Sequence, residues 1–65
     1  MLITLNGEER RIGAGDVAAL VAELGLDTRK VAVECNLEIV PRSLYGDTAL
    51  ADGDHVEIVT FIGGG

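Results

Sequence analysis

The chain has 65 residues, room for one domain around one core. Five Lys and Arg against eleven Asp and Glu give a formal charge of −6, and there is one Tyr, one Phe and no Trp. Such a chain has neither the cations for phosphate contacts nor the rings for base stacking, so no nucleic-acid partner is expected.

Met1 runs directly into strand-like sequence rather than a basic stretch and a long apolar run, so no leader is expected. No apolar stretch approaches the roughly 20 residues that span a bilayer, so no membrane partner is expected and the cytoplasm is the expected compartment. Leu2–Leu5 is a β-rich run followed by Asn6-Gly7. That pair suits a type I′ turn, which needs positive φ at both central residues. Glu8 to Ile12 is the expected return strand, broken by Gly13-Ala14-Gly15.

Asp16 is placed to cap a helix, with its carboxylate at the orphan N–H groups and positive dipole end. Val17, Leu20, Val21 and Leu24 then recur at helical spacing, and Gly25 stands where a left-handed stop is expected. Val31, Val33 and Cys35 alternate with Ala32, Glu34 and Asn36, which predicts a strand with one buried face. Leu37 to Val40 reads as a short partner strand closed by Pro41. Arg42 to Leu50 has no clear period and is expected to be a loop or one short helical turn. Asp52-Gly53-Asp54 marks a turn. His55 to Ile62 is a last strand, apolar on both faces and therefore expected at the centre of the sheet. The order β-β-α-β-β-β predicts an α+β domain over residues 1–62. In it a mixed sheet of four to five strands packs on one helix, with the first and last strands as neighbours.

Few side chains could carry catalysis. Ser43, His55 and a carboxylate make a hydrolytic triad only on paper, because nothing in their spacing brings a base to the nucleophile. Asp52-Gly53-Asp54 lacks the twelve-residue ligand series of an EF-hand and suits a structural turn. Cys35 shares its parity with Val31 and Val33 and has Glu34 beside it, which suits packing better than reactivity. With one Cys and one His, neither an internal disulfide nor a Cys/His zinc site can form, and no metal is expected. Gly63-Gly64-Gly65 has no structural reason. It is read as a flexible tail of three residues without Cβ, able to enter a narrow site in another protein.

The hairpin start, the helix, the segment from Asp52 to Ile58 and the ending Phe61-Ile62-Gly63-Gly64-Gly65 resemble the ubiquitin-like sulfur carriers. Val33-Glu34-Cys35-Asn36 and Glu38-Ile39-Val40-Pro41-Arg42 are similar to the thiamine-biosynthesis branch, the ThiS-like carriers. Leu37 departs from the pattern, since many relatives carry Gly there, and a longer or differently shaped turn is expected. The resemblance implies a β-grasp fold and a carrier rather than an enzyme. It implies that a ThiF-like adenylating enzyme uses ATP on the C-terminal carboxylate and that the carrier binds no cofactor. A sulfur donor such as a cysteine desulfurase would then supply sulfur for a thiocarboxylate, and a ThiG-like thiazole synthase would consume it. Carried over, the reactive group is the carboxylate of Gly65, with Gly64 as its partner in the motif.

Three other readings stand beside this one. The small subunit of molybdopterin synthase shares the fold and ending, although its tail commonly has a proline before the final glycines. A ubiquitin-like protein modifier would form amide bonds, with Lys30 as the only lysine of its own. An interaction domain with an idle tail is the third. For partner binding, period-two alternation turns Leu2, Val59 and Phe61 away from the helix. They are expected to form one apolar patch continuous with Ile62 and Gly63.

Overall fold

The structure is a computed structural model and describes residues 1–61. Strands β1 (Leu2–Leu5) and β2 (Glu8–Arg11) form the first hairpin, with Leu5 opposite Glu8 and Leu2 opposite Arg11. Asn6 and Gly7 have φ of 51° and 84°, the left-handed pair that matches the twist of the flanking strands. Asn6 also has a second role. Its side-chain carbonyl accepts from the Ile58 N–H at 2.8 Å and its amide donates to the Ile58 carbonyl at 3.3 Å, extending sheet pairing past the end of β1.

Helix α1 (Val17–Glu23) begins at Asp16, whose carboxylate accepts from the Ala19 N–H at 2.8 Å. It ends at Gly25, φ 75°, where the Gly25 and Leu26 N–H groups donate to the Ala22 and Val21 carbonyls. This Schellman arrangement satisfies carbonyls that the helix end would otherwise orphan. Val17, Leu20 and Val21 are fully buried. The helical spacing in the sequence therefore marks the core-facing stripe.

After a 3-10 turn at Thr28–Lys30 come β3 (Val31–Cys35), β4 (Glu38–Val40) and β5 (His55–Thr60). The sheet order is β2-β1-β5-β3-β4, with β1 and β5 parallel and the other pairs antiparallel. The last strand lies at the centre beside the first, as expected. Only its face of Val56 and Ile58 is buried, however; the other carries His55, Glu57 and Val59. α1 packs on one face, where Ile3, Leu20, Val21, Val31, Val33 and Val56 meet with almost no exposure. The result is a five-stranded mixed α+β domain, a β-grasp.

One segment makes the sequence reading more definite, and one differs from it. Arg42–Asp47 is a 3-10 helix of six residues that carries Tyr45 into the core, its hydroxyl donating to the Val31 carbonyl at 3.4 Å. A three-residue turn leaves no 3.6-residue period to read. Leu37 belongs to the β3–β4 turn rather than to β4. Asn36 and Leu37 have φ of 52° and 70°, so this turn is also a two-residue type I′ turn, neither longer nor differently shaped. Registering Val33 opposite Val40 on the core side leaves only two residues to reverse the chain. Asn36 anchors the turn by accepting from the His55 N–H at 2.9 Å and donating to Asp54 Oδ1 at 3.0 Å.

Candidate functional site on the open sheet face

Alternation along β5 sends Val56 and Ile58 to the core and leaves His55, Glu57 and Val59 on the open face. β3 contributes Ala32 and Glu34 to that face, and β4 contributes Ile39. The antiparallel register sets Ala32 opposite Val59, and Glu34 opposite both Glu57 and Ile39. Ala32, Glu34, Ile39, Glu57 and Val59 line one shallow depression. Ile39 is 78% exposed and Val59 60%, and Phe61, just beyond β5, is 52% exposed.

Leu2 is exposed, as alternation predicts, but it is not part of this patch. Parallel pairing of Leu5 with Val56 places Leu2 beside Gly53, whose N–H donates to the Leu2 carbonyl at 2.8 Å. From position 53 to position 59 the chain rises roughly 20 Å at about 3.3 Å per residue. Ala32 and Ile39 occupy the place assigned to Leu2, and the sequence pattern missed both. Their parity opposite Val31, Val33 and Val40 was the signal that could have found them.

At the end of β5 the Phe61 N–H donates to the Lys30 carbonyl at 2.8 Å. Arg42 braces this corner by donating to the carbonyls of Thr28 at 2.9 Å and Val31 at 3.3 Å. Nearby, the side-chain hydrogen bond from Arg29 holds the exposed Asp27 carboxyl down at about 2. From Phe61 the chain continues into Ile62, Gly63, Gly64 and Gly65, which lie outside the described residues.

The remaining candidates have structural tasks. Cys35 is half-buried against the core, with Sγ 3.9 Å from Asp54 Oδ2. Burial first, and then the charges of Asp54 and Glu38, push its thiol above the ordinary range, the wrong direction for a nucleophile. The carboxylates of the Asp52-Gly53-Asp54 turn are used internally. Asp52 accepts from the Leu2 N–H at 2.7 Å, and Asp54 accepts from the Ala51 N–H at 2.9 Å as well as from Asn36. No group of three metal-ligating side chains stands together among the described residues. Ser43 lies in the 3-10 helix and His55 at the start of β5, and no hydrogen bond joins them.

Three comparisons bear on this arrangement. Residues 3–65 match the model of the ThiS family. The sulfur carrier protein ThiS of Bacillus subtilis is 36% identical, over 98% of this chain and the whole of that one. A thiazole synthase of Paramagnetospirillum magneticum is 61% identical across this whole chain, and one of Magnetococcus marinus is 46% identical. This chain spans only 20% of the length of each of those two proteins. The crystal structure of the thiamine biosynthesis protein (ThiS) from Geobacter metallireducens superposes with a TM-score of 0.83 at 36% identity, covering all of both chains. With its β-grasp architecture and a family match that runs through the terminal glycines, the chain belongs to the ThiS family.

Proposed function

We propose that this domain carries sulfur for the thiazole ring of thiamine on the carboxylate of Gly65. The observation that supports it most is the family match over residues 3–65, which includes Gly63, Gly64 and Gly65. A carboxylate is a poor acyl donor, being anionic and without a leaving group. Attack of its oxygen on the α-phosphorus of ATP expels pyrophosphate and leaves an acyl adenylate. A sulfur nucleophile then adds to the acyl carbon and AMP departs, the two-step logic of covalent catalysis. A ThiF-like enzyme supplies this site and binds the ATP. Where a cysteine desulfurase supplies the sulfur as a persulfide, its attack gives an acyl disulfide. A thiol then cleaves the S–S bond, releasing the thiocarboxylate and ending as a disulfide. The domain needs no cofactor of its own. The activating enzyme must close around the adenylate to keep water out, and glycine at 64 and 65 puts no side chain in the way.

The domain is thus a carrier and co-substrate rather than an enzyme. A ThiG-like thiazole synthase receives the sulfur, a reading supported by the two longer thiazole synthases in which a segment like this chain is one fifth of the length. Val59 and Phe61, with Ala32 and Ile39, form the docking surface, and Ile62 and Gly63 connect it to the reactive end. No helix among the described residues is long and apolar enough to cross a membrane.

The test is pyrophosphate exchange. A ThiF-like enzyme should exchange labelled pyrophosphate into ATP when this protein is added. Exchange that is independent of the protein, or unaltered by deleting Gly64 and Gly65, contradicts the proposal.

A further inference from the structure

The sheet ends in two edge strands, β2 and β4. Strand β4 has three residues with a single charge, Glu38, and Pro41 directly behind it, so it offers another strand little. Strand β2 is different. Its residues Glu8-Glu9-Arg10-Arg11 are all exposed, and Ile12 just beyond exchanges both backbone hydrogen bonds with Met1. Backbone groups alternate in direction along an antiparallel strand. Glu8, Arg10 and Ile12 therefore bond β1, and Glu9 and Arg11 aim their N–H and C=O groups outward. Gly13, next in the outward series, gives its N–H to the Glu23 carboxylate at 3.0 Å, which closes the edge there. An open edge is a template for another strand, and proteins guard such edges with charge. A guard of one sign repels a second copy, but two Glu followed by two Arg complement themselves.

We infer that β2 pairs antiparallel with β2 of a second copy of this chain, about a two-fold axis through Arg10. That register sets Glu9 opposite Arg11 of the second copy and Arg11 opposite its Glu9. Both residues aim their backbone groups outward, so each such pair exchanges its N–H···O=C bonds. Their side chains lie on the same face of the joined sheet, where opposite charges across strands attract. On the other face Arg10 meets its own copy, and Glu8 of each chain sits diagonally to offset that repulsion. A register centred on Glu9 would set Glu9 against itself and Arg11 against the turn at Gly7, so charge and hydrogen bonding choose the same pairing. The edge lies at the far side of the sheet from β3 and β4, so Ala32, Ile39 and Val59 stay free in both copies. The pairing does not depend on the carrier reading. A four-residue strand covers far less than the roughly 800 Å² per partner of a stable complex, so the dimer is weak, with a Kd above about 1 µM.

The experiment follows the full chain by sedimentation equilibrium from micromolar to millimolar concentration, at low and high salt, with amide hydrogen exchange alongside. A monomer–dimer equilibrium should appear, and its Kd should rise several-fold with salt, which screens exposed ion pairs. Exchange at the Glu9 and Arg11 amides should slow as concentration rises, whereas Glu8 and Arg10, already bonded to β1, should not change. Glu9→Arg and Arg11→Glu each place like charges opposite one another and should each weaken self-association about tenfold. An equal mixture of the two variants restores the Glu–Arg pairs and should associate about as tightly as the parent, as should the chain carrying both substitutions. Melting temperatures near the parent's confirm that the exposed substitutions leave the fold intact. A chain that stays monomeric at millimolar concentration, or a dimer whose strength ignores both charge reversals, overturns the proposal. Assemblies larger than two, a mixture that fails to pair, or exchange slowed elsewhere but not at Glu9 and Arg11 overturn it equally.

Discussion

Leu37 holds a φ of 70° with a side chain 90% exposed. A residue with a Cβ pays roughly 1–2 kcal/mol for the left-handed region, and nothing in the free protein repays it. Asparagine tolerates that region and adds no backbone freedom to the unfolded chain. Leu37→Asn should therefore raise stability by about 1 kcal/mol, read as a higher urea midpoint at constant slope. A lower midpoint would show that Leu37 makes a stabilising contact. Cys35 is the other telling residue. Its thiol, pushed up by burial and by Asp54, should react with iodoacetamide at neutral pH more slowly than free cysteine does. Faster reaction contradicts the packing role. Strand parity predicted the half-burial of Cys35, but the carboxylate of Asp54, nineteen positions away, became its neighbour only through the turn that Asn36 anchors.

At the scale of elements, α1 has seven residues, too few to persist alone, so its helicity depends on its caps and its buried stripe. Leu20 is fully buried, and truncating such a leucine costs roughly 2–5 kcal/mol. A core this small supplies only about 3–5 kcal/mol, so Leu20→Ala should be largely unfolded at room temperature. A far-ultraviolet spectrum and melt like those of the parent would show that α1 is not the keystone. The helix and the first hairpin were readable because caps, left-handed turn residues and alternation are local signals. In the second hairpin alternation gave the strands, but Leu37 concealed the left-handed turn. In Arg42–Asp47 the sequence left open a loop or one short helical turn. It is a six-residue 3-10 helix, and the burial of Tyr45 against the Val31 carbonyl is a long-range contact that no local pattern marks.

For the whole molecule, the placement of β5 between β1 and β3 brings Val59 beside Ala32 and leaves Leu2 at the far end of the sheet. Parity could say which residues face outward. Which of them are adjacent depends on the parallel register of β1 with β5, a long-range pairing with no turn to fix it. Phe61 lies just beyond β5, 52% exposed, so Phe61→Asp should preserve the melting temperature while weakening binding to the adenylating enzyme. Equal affinity, measured by calorimetry on a variant with a native spectrum, would remove Phe61 from the interface.

The central claim is that sulfur travels on Gly65, and mass spectrometry tests it most directly. The protein is incubated with a ThiF-like adenylating enzyme, ATP and a sulfur source, then weighed intact and after fragmentation. One oxygen should be replaced by sulfur, and the fragments should place that change on the terminal glycine. Removing Gly65 should abolish loading, because a shift of about 1 Å at a reacting centre can cost a hundredfold in rate. The melting temperature should hardly change, since among the described residues the buried core runs from Ile3 to Ile58. Sulfur on Cys35, undiminished loading after Gly65 is removed, or an amide bond from Gly65 to lysines of other proteins would contradict the account.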